Sequence, residues 1–196
     1  MKLLIASGNR HKVAEIAELL QGTAWEVVCL ADYPEVELPP EDADTFAGNA
    51  KIKAVAAAKA TGLWTLADDS GLAVDYLDGA PGVYSARYAG EQKDDDANNR
   101  KLLAAMQDCP AELRTARFIC ALSLVSPDGE EFSAEGRCEG TIGFAERGDM
   151  GFGYDPLFIM PDGERTMAEL DMAEKNRISH RAAALREILP VLLQKA

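Results

Sequence analysis

Long hydrophobic runs are absent from this sequence of 196 residues. The apolar stretch near the start covers only Leu3 to Ala6, whereas a secretory signal needs about 7–15 apolar residues. Runs such as Ile119 to Leu122 fall equally far below the roughly 20 residues that span a membrane. We therefore expect neither a secretory signal nor a membrane partner.

Cysteine occurs at only four positions, and its spacing matches no metal motif. The four residues form no CxxC pair and no Cys/His pattern, and they are Cys29, Cys109, Cys120 and Cys138. Zinc sites and disulfide frameworks need such spacings, so neither is indicated. The predicted compartment is therefore a reducing cytoplasm.

Positive charge is scarce, because 20 Lys and Arg residues stand against 33 Asp and Glu, for a net charge of −13. Binding a nucleic-acid polymer rests on neutralising many phosphates, so this balance disfavours such a partner. A small anion needs only a local basic cluster and stays possible. The hydrophobic content of 47% is ordinary for a globular fold.

Strand and helix patterns alternate along the chain. Strands are predicted at 3–6, 25–30, 63–67, 117–125 and 130–139, and helices at 10–21, 45–60, 97–107 and from 179 onward. The Ser126-Pro127-Asp128-Gly129 turn predicts a hairpin between the last two strands. Thr166 and Glu169 predict a capping box for a short helix, and Pro190 is expected to kink or shorten the last helix. The order predicts an α/β fold with a mixed sheet.

Two predicted helices begin with basic residues, although the partial positive charge of a helix N-terminus favours acids. The first helix follows Ser7-Gly8-Asn9 with Arg10, His11 and Lys12, and the last follows Ser179 with His180 and Arg181. A bound anion would explain both clusters, since Gly8 allows close backbone approach. The alternative is that these side chains are simply solvated. The Walker A motif is absent, so a P-loop kinase is not indicated.

Acidic residues cluster where a strand is predicted to end. Asp68 and Asp69 follow the apolar run 63–67, and Glu41 and Asp42 lie in a proline-rich loop. Ligands bind at the carboxyl ends of strands in open α/β sheets, and Mg²⁺ takes one or two carboxylates. The alternatives are a turn at Asp68-Asp69 and helix-capping roles for the loop acids.

The glycine-rich loop at 148–155 contains two aromatic residues, Phe152 and Tyr154. Their rings either stack on a flat ligand ring or anchor the loop in the core. The loop does not match the GxGxxG pattern of dinucleotide-binding proteins.

Taken together, these segments resemble the inosine triphosphate pyrophosphatase family. The matching segments occur in the family's order and are Ser7-Gly8-Asn9-Arg10-His11-Lys12, Glu41, Thr45-Phe46, Asn49-Ala50, Lys53, Ala67-Asp68-Asp69-Ser70-Gly71-Leu72, Gly79-Ala80-Pro81-Gly82, Ser85-Ala86-Arg87-Tyr88, Gly151-Phe152-Gly153-Tyr154-Asp155-Pro156, Lys175 and Ser179-His180-Arg181. No single motif is decisive, but the ordered set is specific and covers nearly the whole chain.

The resemblance implies an elongated α/β fold, in which helices flank a mixed sheet and two lobes enclose a central cleft. Residues 1–196 would form one pyrophosphatase domain, working as a homodimer with Mg²⁺. The implied reaction converts dITP, ITP, XTP or dXTP to the nucleoside monophosphate and pyrophosphate. Such a reaction would remove non-standard purine nucleotides from the nucleotide pool.

The resemblance also implies a role for each matching residue. Asp69 would be the general base and, with Glu41 and the nearby Asp68, would hold the metal. The residues implied to bind substrate are Ser7, Gly8, Asn9, Arg10, His11, Lys12, Lys53, Ser70, Phe152, Gly153, Tyr154, Asp155, Lys175, His180 and Arg181. The chain has Ser7 where the family usually has Thr, Ala43 where it usually has Gly, and Gly48 where Glu is common.

Two other functions remain open at this stage. One is a metal-dependent hydrolase of another phosphorylated metabolite that acts through an aspartyl intermediate, although Asp68-Asp69 lacks the DxD spacing. The other is a nucleotide sensor without catalysis, which would not need Glu41 and Asp69.

Overall fold

Six strands and five α-helices lie along residues 1–196, all of which the computed structural model describes. The strands are β1 (Lys2–Ile5), β2 (Glu26–Cys29), β3 (Trp64–Val74), β4 (Thr115–Val125), β5 (Glu131–Ile142) and β6 (Phe158–Ile159). The helices are α1 (Arg10–Leu19), α2 (Phe46–Thr61), α3 (Asp95–Ala105), α4 (Met172–Ile178) and α5 (His180–Lys195). No helix combines the length and the apolar composition needed to cross a membrane.

All six strands belong to one sheet, in the order β2-β1-β3-β4-β5-β6. β1 runs parallel to β2 and to β3, whereas β5 and β6 are antiparallel. β4 and β5 are neighbours, and the turn between them is closed by the Gly129 N–H, which donates to the Ser126 carbonyl at 3.0 Å. The predicted α/β class, mixed sheet and hairpin are therefore confirmed.

The chain divides into two compact units. Unit 1 comprises residues 1–69, 120–136 and 180–196, and unit 2 comprises residues 70–119 and 137–179. Each unit has hydrophobic clusters made only of its own residues.

In unit 1, β1 is buried on both faces, which explains its uninterrupted apolar sequence. Leu3 and Ile5 pack with apolar residues of α1 and α5, whereas Leu4 packs with Ala54 and Ala57 of α2. Successive strand residues point to opposite faces, so helices cover both sides of this strand.

In unit 2, the core forms around the second halves of the long strands. Leu72 and Val74 of β3 pack with Leu102 of α3 and with Phe118 and Phe158. The rings of Phe118 and Phe158 have centroids 4.5 Å apart. This cluster gives the loop around residues 151–156 a fixed base.

The predicted end of the third strand is wrong. β3 continues from Trp64 to Val74, so Asp68 and Asp69 lie in the middle of a strand. The apolar residues after Gly71 resume the buried pattern, and β3 has a neighbouring strand on each side in the sheet order. The acidic pair is therefore held by a central strand.

Of the two alternatives predicted for Pro190, a kink or a shortened last helix, the shortening does not occur. α5 runs through Pro190 to Lys195 and is not shortened, because Ile188 and Leu192 on either side of the proline are buried in the core of unit 1. The capping box of Thr166 is present, but it caps only a 3-10 turn. The sequence reading missed α4, which has a capping box of its own.

Candidate active site

The parallel pairing of β1 and β3 sets the position of the first basic helix start. Ile5 lies beside Leu66 in this pairing, and the Ala6 N–H donates to the Leu66 carbonyl at 2.9 Å. The chain that leaves β1 therefore emerges next to the segment of β3 that carries Asp68. The loop and the start of α1 follow directly.

Hydrogen bonds within the loop order the start of α1. The Ser7 hydroxyl accepts the Asn9 N–H at 3.2 Å, and Asn9 Oδ1 accepts the N–H groups of His11 and Lys12 at 2.9 and 3.3 Å. Asn9 therefore caps the helix, while the side chains of Arg10 and His11 lie at the surface.

Both basic helix starts converge on one fully buried carboxylate. Asp68 Oδ2 lies 3.0 Å from Lys12 Nζ and accepts from Arg181 Nη2 at 3.2 Å. Arg181 Nη1 donates to Glu15 Oε2 of α1. One cation from each helix start, Lys12 and Arg181, is thus balanced by carboxylates of the chain itself, which fixes both side chains.

Lys53 of α2 connects the acidic loop to β3. Its ammonium donates to Glu41 Oε1 at 2.5 Å and to the Asp68 carbonyl at 2.7 Å. Asp69 Oδ1 lies 3.9 Å from the same nitrogen. Two carboxylates from different parts of the sequence, Glu41 and Asp69, therefore surround one cation.

Asn49, one turn before Lys53 on α2, adds a second connection. Its Oδ1 accepts the Ala43 N–H at 2.9 Å, and its Nδ2 donates to Asp69 Oδ2 at 3.0 Å. The side chain is almost completely buried. The amide thus joins the loop that carries Glu41 to the carboxylate on β3.

The two neighbouring aspartates titrate differently. Burial by itself raises the pKa of Asp68, but the charges of Lys12, Arg181 and Lys53 outweigh it and hold that pKa well below the ordinary value. Burial also raises the pKa of Asp69, where Glu41 adds to the effect and the cations offset only part of it. Asp69 is therefore the more basic of the two carboxylates.

The donor chemistry around Lys53 fits a hard divalent cation. No group of three or more His, Cys, Asp or Glu side chains suited to a metal is present. Mg²⁺ does not need one, because it binds through one or two carboxylates together with water and substrate phosphates. Glu41 and Asp69 supply such a pair, with Asp68 adjacent in sequence.

In unit 2, Asp155 organises the glycine-rich loop. Its Oδ2 accepts the Phe152 N–H at 3.0 Å and the Lys175 ammonium at 2.8 Å, and both partners of this ion pair are buried. Lys175 Nζ also lies 4.8 Å from the centroid of the Phe152 ring. A side chain at Gly151 would place Cβ 2.1 Å from Asp155 Oδ2, so this turn requires glycine.

The start of α3 holds the same loop from another side. The Gly153 N–H donates to Asp95 Oδ2 at 2.7 Å, and the Gly153 carbonyl accepts from Asn99 Nδ2 at 3.1 Å. Gly153 has a positive φ of 62°. Both polar groups of this residue are thus fixed by side chains.

Other predicted site residues differ in their surroundings. Tyr154 is buried in the core of unit 2, and its hydroxyl donates to the Ser85 carbonyl at 2.8 Å, so its ring anchors the loop. Phe152 is only partly buried. Ser70 is half-buried on β3 in unit 2, His180 is buried at the start of α5 in unit 1, and Gly8 is exposed.

Three residues that make these contacts are not among the site residues predicted from the sequence. Glu15 is a buried acid beside Ile16 on α1, and charge alone predicts a surface position for such a residue. Asp95 follows the N-cap, Asp94, in the first turn of α3, where an acid needs no partner other than the helix dipole. Asn49 stood in a matching segment, but only the two bonds of its amide reveal what it connects.

Comparison with known proteins agrees with this fold. A family model described as the Ham1 family matches residues 3–191. A dITP/XTP pyrophosphatase of Desulforamulus reducens is 53% identical over 192 residues, which cover 98% of this chain and 96% of the relative. The structure of a HAM1 protein from Coxiella burnetii is 41% identical, has a TM-score of 0.89 and is matched over 100% of both chains.

The fold and the site define an α/β protein with a buried cluster of carboxylates and cations on a central strand. The chain belongs to the Ham1 family. A relative from Bacillus subtilis, 50% identical over 189 residues, also carries the name dITP/XTP pyrophosphatase. The predicted resemblance to the inosine triphosphate pyrophosphatases is therefore confirmed.

Proposed function

We propose that the protein hydrolyses non-standard purine nucleoside triphosphates, including dITP and XTP, to the nucleoside monophosphate and pyrophosphate. Full-length relatives with the name dITP/XTP pyrophosphatase support this activity. The observation that carries the proposal is the pair of carboxylates, Glu41 and Asp69, around the Lys53 ammonium. This arrangement suits a phosphate chain and a cation at the same place.

The phosphates are proposed to bind to the loop and helix start of unit 1. Their contacts would come from the segment Ser7, Gly8, Asn9, Arg10, His11 and Lys12, and from Lys53. Lys12 and Lys53 are held by carboxylates, so their charges are already in place before a ligand arrives. Such preorganised cations stabilise the charge that develops on a leaving pyrophosphate.

Glu41 and Asp69, with Asp68 nearby, are proposed to hold Mg²⁺. The bound ion would offset the negative charge of the polyphosphate, which otherwise repels an attacking water. Asp69 is proposed to orient that water and to accept its proton. The raised pKa of Asp69 favours this role, because a base works best when its pKa lies closer to the operating pH.

Ser70 is proposed to contact the substrate. The residues proposed to recognise the base are Phe152, Gly153, Tyr154, Asp155, Lys175, His180 and Arg181. Hypoxanthine and xanthine carry a carbonyl at the purine 6-position, whereas adenine carries an amino group. A donor fixed by the site would pair with the carbonyl and oppose the amino group. An unpaired buried donor costs about 1–3 kcal/mol, so a few such penalties reject ATP strongly.

We further propose that residues 1–196 act as one pyrophosphatase domain and as a homodimer in the cytoplasm. The homodimer is tested by sedimentation, where the expected mass is twice the chain mass of 21.1 kDa. A monomer at the concentration of the activity assay would contradict it.

The activity is tested with dITP, XTP, dGTP and ATP in the presence of Mg²⁺, with separate detection of pyrophosphate and orthophosphate. We expect pyrophosphate from dITP and XTP, and little product from dGTP and ATP. Direct release of orthophosphate would favour the hydrolase that uses an aspartyl intermediate. Binding of dITP without any product would favour the sensor.

A further inference from the structure

Asn49 is a buried residue whose amide joins the loop that carries Glu41 to the carboxylate of Asp69. Its Oδ1 accepts the Ala43 N–H, two residues after Glu41, and its Nδ2 donates to Asp69 Oδ2. Only 1% of the residue is exposed. An amide presents one acceptor and one donor in a rigid plane, so these two bonds fix the spacing between loop and strand.

The same loop is also held by close packing against the first turn of α2. A Cβ atom added at Gly48 would lie 2.7 Å from the Ala43 Cβ and 3.0 Å from Thr45 Oγ1. Neither of these atoms belongs to a long flexible side chain, so the loop would have to move. The methyl group of Ala43 thus fills the space that the missing side chain of Gly48 leaves open.

We propose that Asn49 is a positioning residue that sets the distance between Glu41 and Asp69 and thereby the geometry of the cation site. The inference rests on the proposed function, since it takes these two carboxylates as the ligands. The Ala43–Gly48 contact is the second restraint on the same distance. A partner that orients a ligand typically contributes about 10- to 100-fold in metal affinity or activity.

The chain offers a matched control in Asn98 of α3. This residue is 2% exposed, and its amide also makes two bonds: Oδ1 accepts the Ala89 N–H at 2.7 Å, and Nδ2 donates to the Ala86 carbonyl at 3.2 Å. Its partners are backbone groups of unit 2 and include no carboxylate. Replacing either asparagine by alanine therefore removes the same kind of buried amide.

The test compares Asn49→Ala and Asn98→Ala with the wild type. Mn²⁺ binding to the free protein is followed by electron paramagnetic resonance, and dITP hydrolysis is measured as a function of Mg²⁺ concentration. Asn49→Ala is expected to weaken Mn²⁺ binding about 10-fold and to raise the half-saturating Mg²⁺ concentration by a similar factor. Asn98→Ala is expected to lower the melting temperature and leave Mn²⁺ affinity within about twofold.

A second pair of variants keeps the test informative if Asn49→Ala does not fold. Gly48→Ala is expected to weaken Mn²⁺ binding although alanine favours helix, and the additional change Ala43→Gly is expected to restore it. Wild-type Mn²⁺ affinity in Asn49→Ala, or no recovery in the double variant, would overturn the inference. If the wild type itself neither binds Mn²⁺ nor cleaves dITP, the proposed function fails instead.

Discussion

The two units bury polar groups in different ways. Unit 1 buries charge, because Lys12, Lys53 and Arg181 contact carboxylates within its interior. Unit 2 also buries one ion pair, that of Asp155 with Lys175. It relies more, however, on hydrogen bonds that fix backbone groups, such as those of Asp95 and Asn99 to Gly153. Even its buried Arg114 donates only to backbone carbonyls, those of Met106, Cys109, Ile142 and Gly143.

The difference agrees with the contacts proposed for each unit. Buried ion pairs carry a large desolvation cost that hydrophobic residues would avoid, so they are weak devices for stability. Their presence in unit 1 makes sense if the charges serve a charged ligand. The fixed backbone of unit 2 suits recognition of a neutral, planar group by shape and hydrogen bonding.

The largest predicted effect separates the two adjacent aspartates of β3. Asp69→Asn is expected to lower kcat for dITP about 1,000-fold, the typical range of a general base. Its unfolding free energy should stay within about 1 kcal/mol of the wild type at pH 7.5, because a carboxyl with a raised pKa gains no stability from being ionised.

Asp68→Asn provides the contrast, since the pKa of Asp68 is lowered. A lowered pKa means that ionisation stabilises the fold above the unfolded-state pKa, and this contribution is fully present at pH 7.5. We expect a loss of about 3 kcal/mol in urea unfolding, because Lys12 and Arg181 lose their shared carboxylate. Equal stability of the two variants would contradict the assignment of opposite shifts.

The second prediction is that a buried ion pair of unit 1 contributes more to the unfolding free energy than an ion pair at its surface. Glu15→Gln leaves Arg181 with one carboxylate fewer and is expected to lower the unfolding free energy by about 2–3 kcal/mol. The matched control is Glu130→Gln, which removes the exposed partner of Lys195 and should cost less than about 1 kcal/mol. Urea titrations of both variants measure the difference, and equal losses would refute it.

Much of the fold was predictable because local patterns and packing agree. β1 is apolar at every buried position, and α2 is capped by Thr45 and ends before Gly62, whose backbone is left-handed. The predicted third strand ends too early because Asp68-Asp69-Ser70-Gly71 resembles a turn. The sheet overrides that signal, since flanking strands and the buried residues Leu72 to Val74 keep the segment extended.

The site was predictable in part from the same reasoning. Basic residues at helix starts and acids at a predicted strand end pointed to Lys12, Arg181 and Asp68. The parallel register of β1 and β3 brings the start of α1 next to Asp68, whereas the contact of Arg181 with Asp68 is visible only in the fold. Glu15 and Asp95 were missed because their partners lie far away in the sequence. No spacing rule connects residues that only the fold brings together.

The third prediction compares a variant in unit 2, Asp155→Asn, with a variant in unit 1, Lys12→Ala. Asp155→Asn removes the carboxylate that holds Lys175 and is expected to raise the KM for dITP about 10-fold, while inhibition by added pyrophosphate stays unchanged. Lys12→Ala should weaken inhibition by pyrophosphate about 10-fold and raise the KM for dITP as well, because Lys12 is proposed to bind the phosphates. If Asp155→Asn weakens inhibition by pyrophosphate as much as Lys12→Ala does, the proposed division between base and phosphate recognition is wrong.

The smallest predicted effect concerns the backbone of Gly153. Asp95→Asn replaces a charged acceptor by a neutral one at the 2.7 Å bond and is expected to raise the KM for dITP about threefold, with kcat unchanged. Amide exchange at Gly153 should become faster in the same variant. The control is Asp96→Asn, which removes a neighbouring acid from the same exposed helix turn and should change neither quantity. If Asp96→Asn raises KM equally, the effect comes from the charge at the start of α3, and the hold on Gly153 contributes nothing to base recognition.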